Sequence, residues 1–192
     1  MSKIILVDVD GTIVEPYYHW WRWMEIMCQI EKEYPVGDNI SYNLSYNLSD
    51  YFYDELSMRG VDPMDFWRGD TLYDYLTPIK DSAEVLWKLS SEGYKIHYAS
   101  HCKGNHMKSK VNFIKRNFPF DAFYATQEKG GLKCDIVIDD RHSFLNQIDN
   151  NVIKILYNTP FTQGSELLGQ PIVINSWKEI ETLFGRVADE LF

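Results

Sequence analysis

The chain has 192 residues and a net charge of −9, with 45% hydrophobic, 24% charged and 15% aromatic residues. The apolar and charged fractions are ordinary for a soluble globular protein, the aromatic fraction is high, and the length holds one α/β domain with a solid core plus a small insertion. The charge is uneven: residues 15–74 carry 12 acidic and 4 basic side chains, a block that repels a phosphate backbone and argues against extended nucleic-acid binding.

The opening MSKIILVDVD runs straight into a short apolar stretch, residues 4–9, rich in β-branched side chains. Such a run suits a strand buried on both faces of a parallel sheet. It stops at Asp10-Gly11-Thr12, a turn signal. Residues 16–34 predict a helix, because Trp20, Trp23, Met24, Met27 and Ile30 recur at three- and four-residue spacing. Pro35 and Gly37 are expected to end it. A polar loop follows over 38–50 and contains the tandem SYNL-SYNL, residues 41–48. Two copies of four residues are too few for a repeat architecture. Short helices are expected at 51–58 and 63–68.

Past Pro78 the pattern changes. A helix is predicted over 82–91, closed by Gly93, then a strand over 94–99 with Ser100 directly after it. A helix over 108–117 and a strand over 120–125 follow. Residues 134–138 read as another buried strand, ending at Asp139-Asp140, with a helix at 143–150 behind it. Strands at 153–157 and 172–174 precede a last helix that begins at 177. Alternating strands and helices predict a Rossmann-like α/β fold, a parallel sheet with helices on both faces. Sites in such sheets form at the carboxyl ends of strands. Asp8/Asp10, Ser100 and Asp139/Asp140 all stand there.

Cys28, Cys102 and Cys134 have no metal-ligand spacing and suit a reducing compartment. No run of about 18 apolar residues offers a membrane span, and no signal-peptide pattern opens the chain. The expectation is a cytoplasmic protein.

The residues that can do chemistry start with Asp8 and Asp10. Two carboxylates two apart in an extended segment point to one side, and holding them together is costly without a cation. A hard divalent ion such as magnesium prefers carboxylate and phosphate oxygens. Asp139-Asp140 is a second acidic pair, though a helix cap and a turn would also use it. Ser100 is either a helix cap or a donor to phosphate. Lys129 and Lys133 both precede the Asp139 strand, and a lysine beside four carboxylates would balance charge and hold phosphate.

The order DxDGT, strand-Ser, Lys, strand-Asp-Asp resembles the four signature motifs of the haloacid dehalogenase superfamily, over residues 3–14 and 78–157. Within it the chain looks closest to the 5'(3')-deoxyribonucleotidases, on Thr126-Gln127-Glu128-Lys129, Ile138-Asp139-Asp140-Arg141, Leu76-Thr77-Pro78-Ile79 and the size of the insertion after DxDGT. That resemblance favours Lys129 over Lys133. It implies a catalytic core of residues 1–14 and 78–192 and a small helical cap of residues 15–77. It also implies a magnesium-dependent phosphatase. Asp8 is then the nucleophile that becomes an aspartyl phosphate, and Asp10 the acid and base. Ser100, His101 and Lys129 hold the phosphoryl group. Asp8, the Asp10 carbonyl and Asp140 bind the metal, with Asp139 behind them. A small phosphate monoester, a nucleoside monophosphate, is the expected substrate.

Caps of this kind close over a site, exclude water and choose the substrate. Tyr17, Tyr18, Trp20, Trp21 and Trp23 cannot all face one core, so part of the aromatic helix either stacks a base, packs cap on core, or forms a homodimer face. Where the nucleotidases place an aromatic at the cap entrance, this chain has Pro16. Candidates for the pocket are Tyr17, Tyr18, Phe52 and Trp67. His101 and His142 are candidates for the site mouth, His101 and Lys103 for a phosphate contact beside Ser100, and His97 reads as a packed core residue. Rival readings are a phosphatase of nucleic-acid ends, another small-metabolite phosphatase, and a non-catalytic binding module on the same fold.

Overall fold

The computed structural model describes residues 2–35, 47–102, 104–159 and 168–191. Among the described residues six strands form one sheet: β1 (Ile4–Val7), β2 (Lys95–Ser100), β3 (Ala122–Ala125), β4 (Ile136–Asp139), β5 (Ile153–Tyr157) and β6 (Ile172–Ile174). The order is β3-β2-β1-β4-β5-β6, and every pairing is parallel. The chain builds leftward from β1 to β3, then returns to the other side of β1 with β4. The switch point of the sheet therefore lies between β1 and β4, where a doubly wound fold opens its ligand crevice.

Burial explains why these runs are strands. Ile5, Val7, Ile96, Tyr98, Ile136 and Ile138 point to one face, into a core closed by α3 (Ser82–Ser91), α4 (Met107–Asn117) and α6 (Trp177–Leu191). The alternate residues Leu6, Ala99, Val137 and Leu156 point to the other, where Leu145 and Ile148 cover them. Helices thus lie on both faces, but unequally. The second face carries one helical turn, α5 (His142–Leu145), and loops, among the described residues. The expected helix over 143–150 is shorter because its continuation is turn-like: Gln147 and Ile148 donate backbone bonds three residues back, to Phe144 and Leu145.

The chain leaves the core at Val14 and returns beside itself. Val14 bridges Pro78, and the Ile79 N–H donates to Ile13 O at 2.8 Å. Between them the inserted segment has its own core, in which Tyr17, Trp20, Trp21, Met24, Cys28, Leu48, Phe52 and Leu56 are buried together. Its described elements are α1 (Tyr17–Cys28), a 3-10 turn (Leu48–Phe52), α2 (Tyr53–Arg59) and a second 3-10 turn (Pro63–Arg68). Glu15 accepts from the Tyr17 N–H at 2.8 Å and starts α1. The helix ends at Gln29, in the left-handed region at φ 57°, well before Pro35. The buried Glu25 carboxylate accepts the Lys32 N–H at 2.8 Å and turns the chain there. Leu72, Tyr73 and Leu76 already pack with the sheet core and not with the insertion. The SYNL-SYNL tandem lies, except for Asn47 and Leu48, outside the described residues, as does Lys103.

Candidate active site

The loop after β1 is built around Val9, whose carbonyl accepts from the N–H groups of Thr12, Ile13 and Val14 at 3.0–3.3 Å. Gly11 makes the turn possible. Its φ is +84°, and a Cβ there would stand 2.4 Å from Asp140 Oδ2. Only glycine accepts that backbone and lets the two acidic loops touch. Thr12 donates to Asp140 Oδ1 at 3.3 Å, and its carbonyl accepts the Trp177 indole N–H at 2.9 Å. A helix from the far end of the chain thereby pins the motif.

At the β1/β4 switch point, Asp8, Asp139 and Asp140 bring carboxylate oxygens within 4.8 Å of one another, all buried. Lys129, itself 1% exposed, donates to Asp8 Oδ1 at 2.5 Å and to Asp139 Oδ2 at 2.6 Å. Its loop is seated by Gln147, which accepts the Lys129 N–H at 3.1 Å and leaves no room for a Cβ on Gly130. Lys133 is exposed. Burial would lower the Lys129 pKa, but the charges of Asp139 and Asp8 outweigh it and raise it. Burial pushes Asp8 up to about 7 against the pull of Lys129, with Asp139 and Asp10 adding repulsion. Burial, then Asp8 and Asp139, raises Asp140 well above the usual range. Among the described residues Lys129 is the lysine in contact with this cluster, through Asp8 and Asp139, and Arg141 lowers the Asp140 pKa from further out. A hard cation at this cluster would relieve the remaining repulsion. The oxygen-only donor set fits such an ion. Asp139 spends Oδ2 on Lys129 and Oδ1 on the Arg141 N–H, at 2.9 Å. Asp8 and Asp140 are better disposed to ligate directly.

Asp10 stands apart from that cluster. Its carboxylate has a lysine of its own, Lys110, 2.6 Å from Oδ2 and fully buried. The Tyr73 hydroxyl donates to Oδ1 at 2.6 Å, and Ser100 Oγ donates to Oδ2 at 3.3 Å. Lys110 also donates to Ser100 Oγ at 2.8 Å and to the His101 carbonyl at 3.0 Å. Asp8 and Asp10 thus contact different buried lysines, Lys129 shared with Asp139 and Lys110 with Ser100.

Two clefts meet here. Asp8, Asp10, Ser100, His101, Gln127, Arg141 and Phe144 line one in which polar side chains predominate. Asp10, Tyr17, Trp20, Met64, Trp67, His101 and His106 line a more apolar one under the inserted segment. Asp10 and His101 belong to both. Of the four aromatics expected to form a pocket, Tyr17 and Trp67 line the apolar cleft. Phe52 does not, because it is fully buried against Trp21 in the insertion's core. Tyr18 does not either; it is 47% exposed and packs on Tyr34. Among the described residues His142 opens α5, and His97 is half-buried against Tyr124.

Lys110, Tyr73, Met64, His106, Gln127, Arg141 and Phe144 escaped the sequence reading as site residues, and Trp20 entered it only as one ring of the aromatic helix. For Lys110 a signal existed. It falls on the buried stripe of α4 with Phe113 and Ile114, three and four residues on, where a lysine is not tolerated without a partner.

The family model described as 5' nucleotidase, deoxy (pyrimidine), cytosolic type C protein matches residues 2–191. No curated protein matches the chain. Among solved structures, the fold is similar to a predicted phosphatase from Clostridium acetobutylicum, with TM-score 0.61 and 18% identity over 97% of this chain and 99% of that one. It is similar to a haloacid dehalogenase-like family protein from Streptococcus pneumoniae, with TM-score 0.55 and 13% identity over 95% and 98%. A haloacid dehalogenase-superfamily hydrolase from Ehrlichia chaffeensis gives TM-score 0.56 and 11% identity over 98% and 99%. The chain belongs to the deoxy (pyrimidine) 5' nucleotidase, cytosolic type C family, and it is a phosphatase of the haloacid dehalogenase type.

Proposed function

We propose that the protein is a magnesium-dependent nucleotidase that removes phosphate from nucleoside monophosphates, deoxyribonucleotides foremost, through an aspartyl phosphate on Asp8. One observation carries the reading. A polar cleft holding Asp8 opens, across Asp10 and His101, into an apolar cleft walled by Tyr17, Trp20, Met64 and Trp67. A substrate with a phosphate at one end and a flat ring at the other fits that succession. The family description points to the same substrate class and to a cytosolic location.

The residues divide the work as follows. Asp8, on the rigid end of β1, attacks phosphorus and takes the phosphoryl group as the bond to the leaving oxygen breaks. Asp10 delivers its proton to that oxygen. It then takes a proton from the water that attacks phosphorus and frees Asp8. Lys129, beside Asp8, and Ser100, beside Asp10, face the transferring oxygens, with His101 at the junction of the two clefts. Asp8, Asp140 and the carbonyl of Asp10 would hold magnesium, with Asp139 fixing Lys129. The ion would supply charge neutralisation that phosphoryl transfer among carboxylates demands. Trp67 and Tyr17 offer ring faces to a base.

The test is phosphate release from deoxynucleoside and nucleoside monophosphates, 3'-phosphates, sugar phosphates and a 3'-phosphorylated oligonucleotide, with magnesium and with EDTA. Magnesium-dependent release favouring deoxynucleoside monophosphates is expected. Release from sugar phosphates or the oligonucleotide alone would keep the chemistry and overturn the substrate; no release at all would favour a binding module.

A further inference from the structure

We propose that Tyr73 is a positioning residue that sets the proton-carrying oxygen of Asp10. The inference rests on the acid–base role proposed for Asp10. Among the described residues three donors surround that carboxylate, and they are not equivalent. On Oδ2 stand the Lys110 ammonium at 2.6 Å and the Ser100 hydroxyl at 3.3 Å. An ammonium has donors only. Oδ2 is therefore held as an acceptor, and a proton placed there would face the Lys110 hydrogens. Oδ1 has one described partner, the Tyr73 hydroxyl at 2.6 Å. A phenol both donates and accepts, so it serves Oδ1 with or without a proton. The proton that Asp10 gives to the leaving oxygen is carried on Oδ1, and the proton it later takes from water returns there.

Tyr73 is built for one position. Its ring is fully buried, edge-on to His106 at 5.6 Å and tilted against Phe113 at 6.2 Å. Lys110 Nζ lies 4.9 Å from the ring centre. Its N–H donates to Ser109 Oγ at 3.3 Å, and Arg116 donates to its carbonyl at 3.5 Å. Lys110, Ser109, Phe113 and Arg116 all belong to α4. A single core helix thus places both sides of the clamp on Asp10. Through His106, which bonds the Trp67 carbonyl, the clamp also touches the wall of the apolar cleft. The phenol stays neutral, since burial and then the charge of Asp10 raise its pKa well above the ordinary value.

Tyr73→Phe removes the hydroxyl and keeps the ring contacts. The measurement is rapid-quench kinetics on two substrates that differ in need for an acid: p-nitrophenyl phosphate, whose leaving group departs unaided, and a deoxynucleoside 5'-monophosphate, whose leaving alcohol requires a proton. With the nucleotide, the variant's first turnover is expected to slow at least tenfold with KM unchanged. With the aryl phosphate, the first turnover stays at the wild-type rate while later turnovers slow, because water attack still needs Asp10. A burst absent from wild type then appears. Equal losses on both first turnovers, or no loss on either, overturn the assignment. Asp10→Asn separates the two layers. If it turns over like wild type, the acid–base reading falls and Tyr73 with it; if it is crippled while Tyr73→Phe is normal, only Tyr73 falls.

Discussion

Replacing Lys129 by Met keeps the bulk of the side chain and removes the ammonium that contacts Asp8 and Asp139. Lys129 is 1% exposed, Asp139 is fully buried, and the contacts are 2.5 and 2.6 Å. Breaking a buried pair by deleting one partner costs about 3–5 kcal/mol, because the other charge stays behind. For a chain of this size each kcal/mol moves Tm by roughly 2–4 °C, so the metal-free variant should melt about 6–20 °C below wild type near neutral pH. Two features make the cause identifiable. The orphaned carboxylates escape the penalty by taking up protons, so the gap should narrow as the pH falls toward about 5. Magnesium supplies the missing positive charge, so it should raise the variant's Tm by more than it raises wild type's. Differential scanning calorimetry in EDTA and in magnesium, at two pH values, reads both. A gap below about 2 °C, or one indifferent to pH and metal, would refute the claim that Lys129 neutralises this cluster.

Three other outcomes follow from the same geometry. Gly11→Ala places a Cβ 2.4 Å from Asp140 Oδ2 at a φ of +84°. The backbone alone costs about 1–2 kcal/mol, and the displaced carboxylate should weaken magnesium binding, measured by titration calorimetry; unchanged binding would contradict it. Trp67→Leu should raise KM for deoxynucleoside monophosphates by about 5- to 150-fold, the equivalent of one base–aromatic stack, and leave a ring-free alkyl phosphate unaffected; equal effects on both would remove Trp67 from the base site. In EDTA, Asp8 is raised from 3.8 to about 7 in the folded protein, so its contribution to stability is fully present below 3.8 and is lost as the pH rises through about 7. Asp8→Asn should therefore melt progressively higher relative to wild type across that window, and a constant difference would contradict the assignment.

The sheet was legible because its strands are short apolar runs that end on polar residues, and buried parallel strands have no other pattern. Asp8, Ser100, Asp139 and Asp140 were visible for the same reason: each terminates a run. Lys129 was distinguishable from Lys133 only through a family resemblance, since both lysines precede the same strand. Lys110 looked like an ordinary helix-surface lysine, and its place on the apolar stripe was the missed cue. Tyr73 had no cue. It sits in a polar stretch, and only its long-range contact with Asp10, 63 residues away, gives it meaning. The end of α1 was misplaced for a related reason. A glutamine in the left-handed region carries no sequence signal, and the capping carboxylate of Glu25 is buried by tertiary packing. Phe52 and Tyr18 show the limit of composition. Aromatic side chains on one small helical insertion divide between core, surface and cleft, and only the packing says which is which.

The central claim is that phosphate passes through Asp8. It is tested most directly by rapid acid quench of the Asp10→Asn variant with p-nitrophenyl phosphate, whose leaving group needs no acid, and magnesium, followed by peptide mass spectrometry. One added phosphoryl group is expected on the peptide that carries Asp8, dependent on magnesium and absent when Asp8 is also changed to Asn. Phosphate release by the wild-type enzyme without any such adduct, or an adduct on His101 in its place, would contradict it.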